Sequence, residues 1–570
     1  MDRSLPPSPN EAIKANSRYL RGTIADGLTR VETGALSDDD QQLTKFHGIY
    51  LQDDRDLRAE RGRKKMEKAF SFMARLRVPG GVLTPAQWLA AETIARERGN
   101  GTLRLTTRQT IQFHGIIKSN LRLAISGLND AMLDTIAACG DVNRNVIATA
   151  NPWESRGHAE VAALAQAIGT HLLPKSRAWH EIWIDGEQHT GGEEEDEPIY
   201  GRTYMPRKFK IAVALPPHND VDVFAHDLGF IAIREGDRVA GYNVVVGGGM
   251  GMTHGEPDTF PRTGDVIGFC RPDQVVDIAE KVVTIQRDSG NRSDRKHARL
   301  KYTIERIGLP AFCMELERRL GYSLSPAQDF AFTDNGDRLG WAHGDDGALH
   351  YTLFVENGRV RDLPDRQLLS GLHAIAELGV GRFIITANQN LVIADITPQQ
   401  KRAVGELLRA HGIDAPVSGL RRNSIACVAL PTCGLALAES ERYLPSLVAR
   451  LEDQLEQLGL AQDDITIRMT GCPNGCARPY LAEIALVGRA PGLYHLYLGG
   501  AFNGTRLNKL YRKDVDGDAI IAALSPLLRE YAGQRRDGER FGDYAIRAGH
   551  VRPTTAGNTF HDDLAPELRS

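Results

Sequence analysis

Four of the seven cysteines have a spacing suited to a soft metal centre. Cys427 and Cys433 are separated by five residues, Cys472 and Cys476 by three, and 38 residues lie between the two pairs. Thiolate sulfur is a preferred ligand of zinc and of iron–sulfur clusters. Structural zinc sites usually have gaps of about two to four residues, as in paired knuckles, and these gaps fit that pattern poorly. The spacing therefore favours a cluster, with zinc binding and four unrelated cysteines as the alternatives.

Basic side chains form a second set of candidate functional residues in a chain whose formal net charge is −4. Cations near strand ends can bind carboxylates, phosphates or other oxyanions, whereas an isolated basic run is more often a solvated surface. Arg104 and Arg108 stand four apart in RLTTRQT, which we interpret as one strand with both side chains on the same face. The other members of the set are Arg144, Arg207, Lys208 and Lys210, and the run Arg292, Arg295, Lys296, Arg299 and Lys301.

The elements that must position these residues occur twice along the chain. GTLRLTTRQTIQFHG (101–115) aligns with GRFIITANQNLVIAD (381–395), and each is preceded by an amphipathic pattern typical of a helix. Further matches pair RNVIA with RNSIA, KIAVALPPHND with TIRMTGCPNGC, and YNVVVGGGMG with YHLYLGGAFN. All four candidate metal ligands lie in the second copy. We therefore predict two pseudo-symmetric halves that enclose one shared site, with one half supplying the metal ligands.

The repeat predicts a division of each copy into a small and a large unit. The small units are expected at 66–138 and 343–412, and the large units at 140–335 and 418–545. An N-terminal extension (1–65) and a C-terminal tail (546–570) remain outside the repeat.

Composition argues against several other classes of protein. Hydrophobic residues make up 42% of the 570 residues and charged residues 25%, which is typical of a globular chain in water. The sequence has no apolar run of about 18 residues and no apolar signal core at its N-terminus, so we expect a cytoplasmic protein. A slightly negative net charge disfavours nucleic acid as the main partner. The remaining cysteines, Cys139, Cys270 and Cys313, are scattered, and we expect them to be bystanders.

Several segments together carry a family resemblance: TGCPNGC, PTC, RLTTRQTIQFHG, VNRNV, PRKFK and GNRSDRK. Over nearly its whole length the chain resembles the sulfite and nitrite reductase hemoproteins. YLRGTI (19–24) and KFHGIYLQDDRDLRAER (45–61) resemble in particular the hemoprotein β subunits of assimilatory NADPH-dependent sulfite reductases. The resemblance implies an α+β fold, internally duplicated about a pseudo-two-fold axis. It would contain two small ferredoxin-like half-domains and two larger α/β domains that bind sirohaem and a [4Fe-4S] cluster.

The resemblance also implies roles for individual positions. The cluster ligands would be Cys427, Cys433, Cys472 and Cys476, the last of which would also bridge to the sirohaem iron. The residues that bind the substrate anion and supply protons would be Arg75, Arg144, Lys208 and Lys210. Contacts to sirohaem carboxylates or to the cofactor's surroundings are expected from Arg104, Thr106, Arg108, Gln112, Arg207, Arg299 and Asn474.

The activity implied by the resemblance is the six-electron reduction of sulfite to sulfide, as in sulfate assimilation and cysteine biosynthesis. No flavin or NADPH fingerprint occurs in the sequence, so the resemblance implies a diflavin α subunit that carries FAD, FMN and NADPH. A ferredoxin donor and a sirohaem nitrite reductase are the alternatives within the family. The alternative outside it is a colourless, non-enzymatic zinc protein whose basic faces bind nucleic acid.

Overall fold

The computed structural model describes residues 5–175 except 152 and 154, the strand segments 182–184 and 187–190, residues 197–564 and residue 568. Within those residues, every helix is too short or too polar to span a membrane. The helices are α1 (Pro9–Ala15), α2 (Ile24–Thr29), α3 (Asp38–Leu43), α4 (Arg58–Arg63), α5 (Pro85–Arg98), α6 (Lys118–Asp130), α7 (Arg156–His171), α8 (Val275–Ser289), α9 (Leu300–Ile307), α10 (Leu309–Leu320), α11 (Leu368–Glu377), α12 (Lys401–Ala410), α13 (Gly419–Arg422), α14 (Leu444–Gln457), α15 (Gly517–Gln534) and α16 (Phe541–Arg547).

The strands alternate with these helices in both copies of the repeat. They are β1 (Ile49–Asp53), β2 (Phe70–Arg75), β3 (Val82–Leu83), β4 (Leu103–Leu105), β5 (Ile111–Ile116), β6 (Ile147–Ala148), β7 (Ile182–Ile184), β8 (Glu187–Thr190), β9 (Ile211–Ala214), β10 (Leu228–Glu235), β11 (Arg238–Val246), β12 (Asp265–Cys270), β13 (Gly340–His343), β14 (Leu349–Leu353), β15 (Arg359–Val360), β16 (Asp362–Leu363), β17 (Arg366–Gln367), β18 (Arg382–Ile385), β19 (Leu391–Ile396), β20 (Ser424–Ala426), β21 (Ile467–Thr470), β22 (Ile484–Ala490), β23 (Leu493–Leu498) and β24 (Lys509–Val515).

Two five-stranded sheets form the small units, and each sheet takes one strand from the other unit. Their strand orders are β1–β2–β5–β4–β15 and β13–β14–β19–β18–β3. β15 comes from the second copy and pairs with β4, while β3 comes from the first copy and pairs with β18. β1 lies before residue 66, the predicted start of the first small unit, and still pairs with β2. The exchange unites the two small units around one continuous hydrophobic core.

Glycines at equivalent positions permit this exchange. Gly81 precedes β3 with a φ of 76°, and a Cβ there would overlap the carbonyl oxygen of Ile385. Gly358 precedes β15 with a φ of 73°, and a Cβ there would overlap the carbonyl oxygen of Leu105. The close approach of two backbones and the positive φ both require glycine.

The two large units contain sheets of the same design. Their orders are β6–β9–β10–β11–β12 and β20–β21–β22–β23–β24. In each sheet, the first three strands are parallel to one another. The fourth strand pairs antiparallel with the third, and the fifth pairs antiparallel with the fourth. Helices α7, α8 and α10 contribute to the core of the first large unit, and α14, α15 and α16 to that of the second. The duplicated α+β architecture expected from the sequence is therefore present.

One side-chain hydrogen bond is repeated at the edge of both large sheets. After β6, the Oγ1 of Thr149 accepts from the backbone N–H of Leu215 at 3.0 Å. After β20, the Sγ of Cys427 accepts from the backbone N–H of Gly471 at 3.3 Å. The second copy thus has a sulfur where the first copy has a hydroxyl, in the same backbone setting.

The RLTTRQT segment is a hairpin, so its interpretation as one strand is wrong. β4 ends and β5 begins on either side of a turn in which Thr106 N–H donates to the carbonyl of Thr110 at 3.0 Å. Gln109 adopts a φ of 51° in this turn. The turn contains neither glycine nor proline, so the residues that usually indicate a turn are missing from the sequence. Arg104 lies on β4 and Arg108 lies in the turn.

Candidate functional site

The four predicted ligand cysteines meet at one edge of the second large sheet. β20 and β21 are neighbouring parallel strands, so their carboxyl ends lie at the same edge. Cys427 directly follows β20, and Cys472 and Cys476 lie in the turn after β21. Cys433 lies on the loop that leaves Cys427, and all four cysteines line one cavity.

This cavity has a volume of about 530 Å³, within the range of about 300–1,000 Å³ usual for ligand and cofactor sites. Both copies of the repeat and the N-terminal segment form its walls. Arg299 is the one predicted site residue that does not line it. The lining residues that were predicted are Arg75, Arg104, Thr106, Arg108, Gln112, Arg144, Arg207, Lys208, Lys210, Asn474, Cys427, Cys433, Cys472 and Cys476.

Most cations of the cavity have no carboxylate partner among the described residues. Arg108 donates to the backbone carbonyls of Asn145 and Ile211, the latter at 3.0 Å, and Arg144 Nε donates to the carbonyl of Gly140 at 2.9 Å. Burial of unpaired charges is costly, so an anionic ligand is the natural complement of this cavity. The cations without an ion pair to a described carboxylate are Lys45, Arg75, Arg108, Arg144, Arg207, Lys208 and Lys210.

Burial and mutual repulsion lower the pKa values of Arg108, Arg207, Lys208 and Lys210. Burial, reinforced by Arg207 and Arg299, lowers the pKa of Lys208 from 10.5 to about 7. Burial together with Lys208 and Arg108 places the pKa of Lys210 well below 10.5. The pKa of Arg108 falls to about 9 and that of Arg207 to about 10, again mainly because of burial. Both arginines remain charged near neutral pH, whereas Lys208 can gain or lose a proton there.

The thiols of Cys427, Cys433 and Cys472 favour the protonated form when the chain is alone. Burial raises the pKa of Cys472 to about 12 and also raises those of Cys427 and Cys433, with a further contribution from Cys476. The thiolate is the metal-binding form, so bound metal must supply the positive charge that releases these protons.

The four thiols are not arranged as ligands of a single ion. In the part of the chain that the structure describes, no three His, Cys, Asp or Glu side chains converge on a position for one metal ion. A tetrahedral zinc site with Zn–S bonds of about 2.3 Å would bring its sulfur atoms to about 3.8 Å from one another. Four thiols that line one cavity without converging on a single position are compatible with the ligands of a polynuclear cluster.

Two of the predicted cofactor contacts already have carboxylate partners. Arg104 Nε donates to Glu441 at 2.7 Å, and Arg359 donates to the same carboxylate at 2.7 and 3.0 Å. Arg299 donates to both oxygens of Asp227 at 3.0 and 2.7 Å. Asp227 also accepts from the backbone N–H of Lys210 at 2.9 Å. Arg299 therefore supports the lysine segment from behind the cavity, and its predicted contact with a cofactor stays a prediction.

The polar residues of the predicted set contact other predicted site residues. Thr106 Oγ1 accepts from the backbone N–H of Arg108 at 3.2 Å. With its amide oxygen turned toward Arg75, Gln112 accepts from Nε at 3.3 Å and from Nη2 at 2.5 Å. Asn474 Nδ2 approaches the Sγ of Cys472 at 3.7 Å.

Comparison with known proteins finds two matching family models and close relatives. A model described as the nitrite and sulphite reductase 4Fe-4S domain matches residues 164–324, and one for the nitrite/sulfite reductase ferredoxin-like half domain matches 64–131 and 342–412. The sulfite reductase [NADPH] hemoprotein beta-component of Methylobacterium radiotolerans is 59% identical over 97% of this chain and 90% of its own length. The Anoxybacillus flavithermus protein of the same name is 56% identical over 98% of both chains.

The chain belongs to the nitrite and sulfite reductase family. Among solved structures, the NirA protein of Mycobacterium tuberculosis superposes with a TM-score of 0.76 at 26% identity, over 96% of this chain and 97% of that one. The 4Fe-4S model matches the first copy of the repeat, although all four cavity cysteines lie in the second. The duplicated sheets of this reductase fold explain why one copy can match while the other carries the ligands.

Some lining residues of this reductase-family chain were not predicted. Lys45 and Tyr50 reach the cavity from the N-terminal segment, and burial lowers the pKa of Lys45 to about 8. His114 is buried at the cavity, and among described residues neither ring nitrogen has a hydrogen-bond partner. Cys139, expected to be a bystander, is not a lining residue but lies between the lining residues Ala138 and Gly140, and its Sγ accepts from Arg75 at 3.3 Å. The only sequence signal for Lys45 and Tyr50 was the segment KFHGIY, which belongs to the family resemblance.

Proposed function

We propose that this chain holds a [4Fe-4S] cluster and a sirohaem-type cofactor in the cavity and reduces sulfite to sulfide there. The observation that carries the proposal is that four cysteines and seven cations without described carboxylate partners line the same cavity. The names of the relatives, which specify a sulfite reductase hemoprotein, support sulfite as the substrate.

The side chains of the cavity fit both groups. Cys427, Cys433, Cys472 and Cys476 would hold the cluster, and Cys476 would also help to hold the sirohaem-type cofactor through its iron. When bound, the two groups supply electrons and an iron centre for the substrate, which no side chain can do. Arg104, Arg108 and Arg207 would contribute positive charge toward the carboxylates of the macrocycle. A macrocycle rich in carboxylates would provide the counter-charges that the cavity lacks.

The remaining cations would bind the substrate and handle protons. Reduction of sulfite to sulfide consumes six electrons and six protons and releases three waters. Arg75 and Arg144 can hold the sulfite oxygens by charge-assisted hydrogen bonds. Lys208 has a pKa of about 7, so it can donate a proton to a departing oxygen and regain one near neutral pH. Lys210 lies two residues further along and would share this role.

Electrons must come from another protein, because the sequence has no flavin or NADPH fingerprint. We propose a diflavin α subunit that carries FAD and FMN and oxidises NADPH, in the cytoplasm. The words "[NADPH]" and "beta-component" in the relatives' names support this partner. A ferredoxin is the alternative donor, and turnover with each purified donor would distinguish them.

Nitrite is the second candidate substrate, because the matching family descriptions name both anions. Both conversions take six electrons and begin from a small oxyanion. Anaerobic turnover with a chemical reductant, measured with sulfite and nitrite side by side, would decide between them. A higher kcat/KM for sulfite is expected, and a much higher value for nitrite would reverse the assignment.

Iron analysis separates the proposal from a zinc protein that binds nucleic acid. The loaded chain should be coloured and contain about five irons, four in the cluster and one in the macrocycle. A colourless, iron-free protein from cells able to make sirohaem would refute the proposal. The cations that line a cavity of about 530 Å³ are also poorly placed to contact a duplex.

A further inference from the structure

Lys301 is a buried ammonium group held by three backbone carbonyls. Its Nζ donates to the carbonyl oxygens of Gly249 at 3.1 Å and Gly251 at 2.8 Å, and to that of Phe260. The side chain has 0% exposure, and Nζ lies 4.7 Å from the ring centroid of Tyr302. Three acceptors require three N–H donors, which only the protonated amine has. The geometry therefore requires a charged lysine, even though burial and the nearby Arg299 lower its pKa.

The segment that Lys301 holds packs against the cysteine turn. Met252 N–H donates to the carbonyl of Pro473 at 2.9 Å. A Cβ on Gly251 would lie 3.2 Å from the carbonyl oxygen of Asn474, and a Cβ on Gly475 would lie 2.9 Å from that of Met250. Residues 250–252 thus touch all three residues between Cys472 and Cys476.

We infer that Lys301 is a positioning residue for the metal centre: by fixing segment 249–252, it sets the shape of the Cys472–Cys476 turn. This inference rests on the proposed cluster site. Without the ammonium, three buried carbonyls would lose their donor and the segment would rearrange. The turn would then present its two sulfurs in a less well-defined geometry. Outer contacts of this kind tune how tightly ligands hold a metal.

The chain offers a matched control in Lys509. Its Nζ donates to the carbonyls of Thr559, Phe560 and Asp562 at 3.1, 3.1 and 2.9 Å, and the residue is buried. These acceptors belong to the C-terminal tail and not to the segment that touches the turn. Lys301→Met and Lys509→Met therefore remove the same chemical group from two different loops.

The test compares both variants with the unmodified holoprotein. Transfer of iron to a chelator is followed by the loss of visible absorbance, and the electron paramagnetic resonance spectrum of the reduced cluster is recorded. Lys301→Met should release iron about tenfold faster, which is typical when a contact that orients metal ligands is lost. It should also change the electron paramagnetic resonance spectrum. Lys509→Met should lower the thermal midpoint but leave both cluster readouts close to those of the unmodified protein.

Equal release rates and unchanged spectra for both variants would overturn the inference. If Lys301→Met does not fold, Gly251→Ala tests the same inference. This variant keeps the ammonium of Lys301 and places a methyl group against Asn474. Faster release from Gly251→Ala would support the positioning role, and wild-type release would refute it. Failure of the unmodified chain to take up any cluster would instead refute the proposed function.

Discussion

Replacing Lys208 by methionine should stabilise the cofactor-free chain while removing a group needed for sulfite turnover. The wild-type ammonium is buried among Arg207, Arg299 and Arg144 without a described carboxylate partner. Methionine has a similar length and no charge, so it removes both the desolvation cost and the repulsion. It also removes the charge that makes the largest repulsive contribution to the pKa of Lys210.

The magnitude follows from the pKa of Lys208. A fall from 10.5 to about 7 corresponds to about 5 kcal/mol at 1.36 kcal/mol per unit. The side chain is partly accessible to the cavity, so screening reduces this to about 2 kcal/mol. The folded pKa lies below the unfolded one, so the unfolded chain binds more protons between pH 7 and 10.5 and stability rises with pH there. Below pH 7 the Lys208 charge therefore destabilises the folded chain by the full amount of about 2 kcal/mol. At pH 9 this destabilisation falls to about 1 kcal/mol.

The assay is urea unfolding of the iron-free chain at pH 6 and pH 9. Lys208→Met should raise the apparent free energy of unfolding by about 2 kcal/mol at pH 6 and by about half as much at pH 9. Lys64→Met is the control, because the Lys64 side chain is 61% exposed and should show almost no change. A Lys208→Met variant that is less stable than the wild type would refute the reasoning that burial and repulsion make the charged Lys208 destabilising. An increase in the free energy of unfolding that does not depend on pH would refute it too. In the loaded enzyme the same variant should keep its visible bands and lose most sulfite turnover.

Three further substitutions test the rest of the site. Cys476→Ser should lose the coupled cofactors and all six-electron turnover, and iron content at the wild-type level would contradict its assignment as a ligand. Arg144→Ala should keep the visible spectrum and lower kcat/KM for sulfite by about 10²-fold, the usual effect of removing one charge-stabilising donor; unchanged kinetics would exclude it from substrate binding. Glu441→Gln should destabilise the chain by about 3 kcal/mol in urea unfolding, because Arg104 and Arg359 lose their common carboxylate. An unchanged urea midpoint would mean that the two arginines find other acceptors.

Local spacing and internal repetition were enough to find the cysteines and the duplicated plan. Cys472 and Cys476 sit in a turn after a strand, as the pattern ITIRMTGCPNGC indicates, and parallel pairing then places Cys427 beside them. The aligned segments also correspond in space, because the bond from Leu215 to Thr149 recurs from Gly471 to Cys427. The roles of these side chains came from the family resemblance, and their assignments remain predictions.

Long-range pairing decided the features that the sequence did not show. β3 and β15 are strands of two residues, too short for any periodicity, and their exchange depends on Gly81 and Gly358 clearing a partner backbone. The turn at Arg108 lacks the residues that usually indicate a turn, so its hairpin looked like one strand. Lys45 and Tyr50 line the cavity only because the N-terminal segment packs onto it.

The sequence by itself therefore determined which chemical groups are present and that they belong to two related halves. Tertiary structure decided which charges face the cavity and which are already neutralised. Arg207 and Arg299 illustrate the difference: both belong to basic runs, yet Arg207 lines the cavity without a described carboxylate, while Arg299 is bound to Asp227. The free energy of a buried charge depends on its nearest partners in space, and those partners lie far away along the chain.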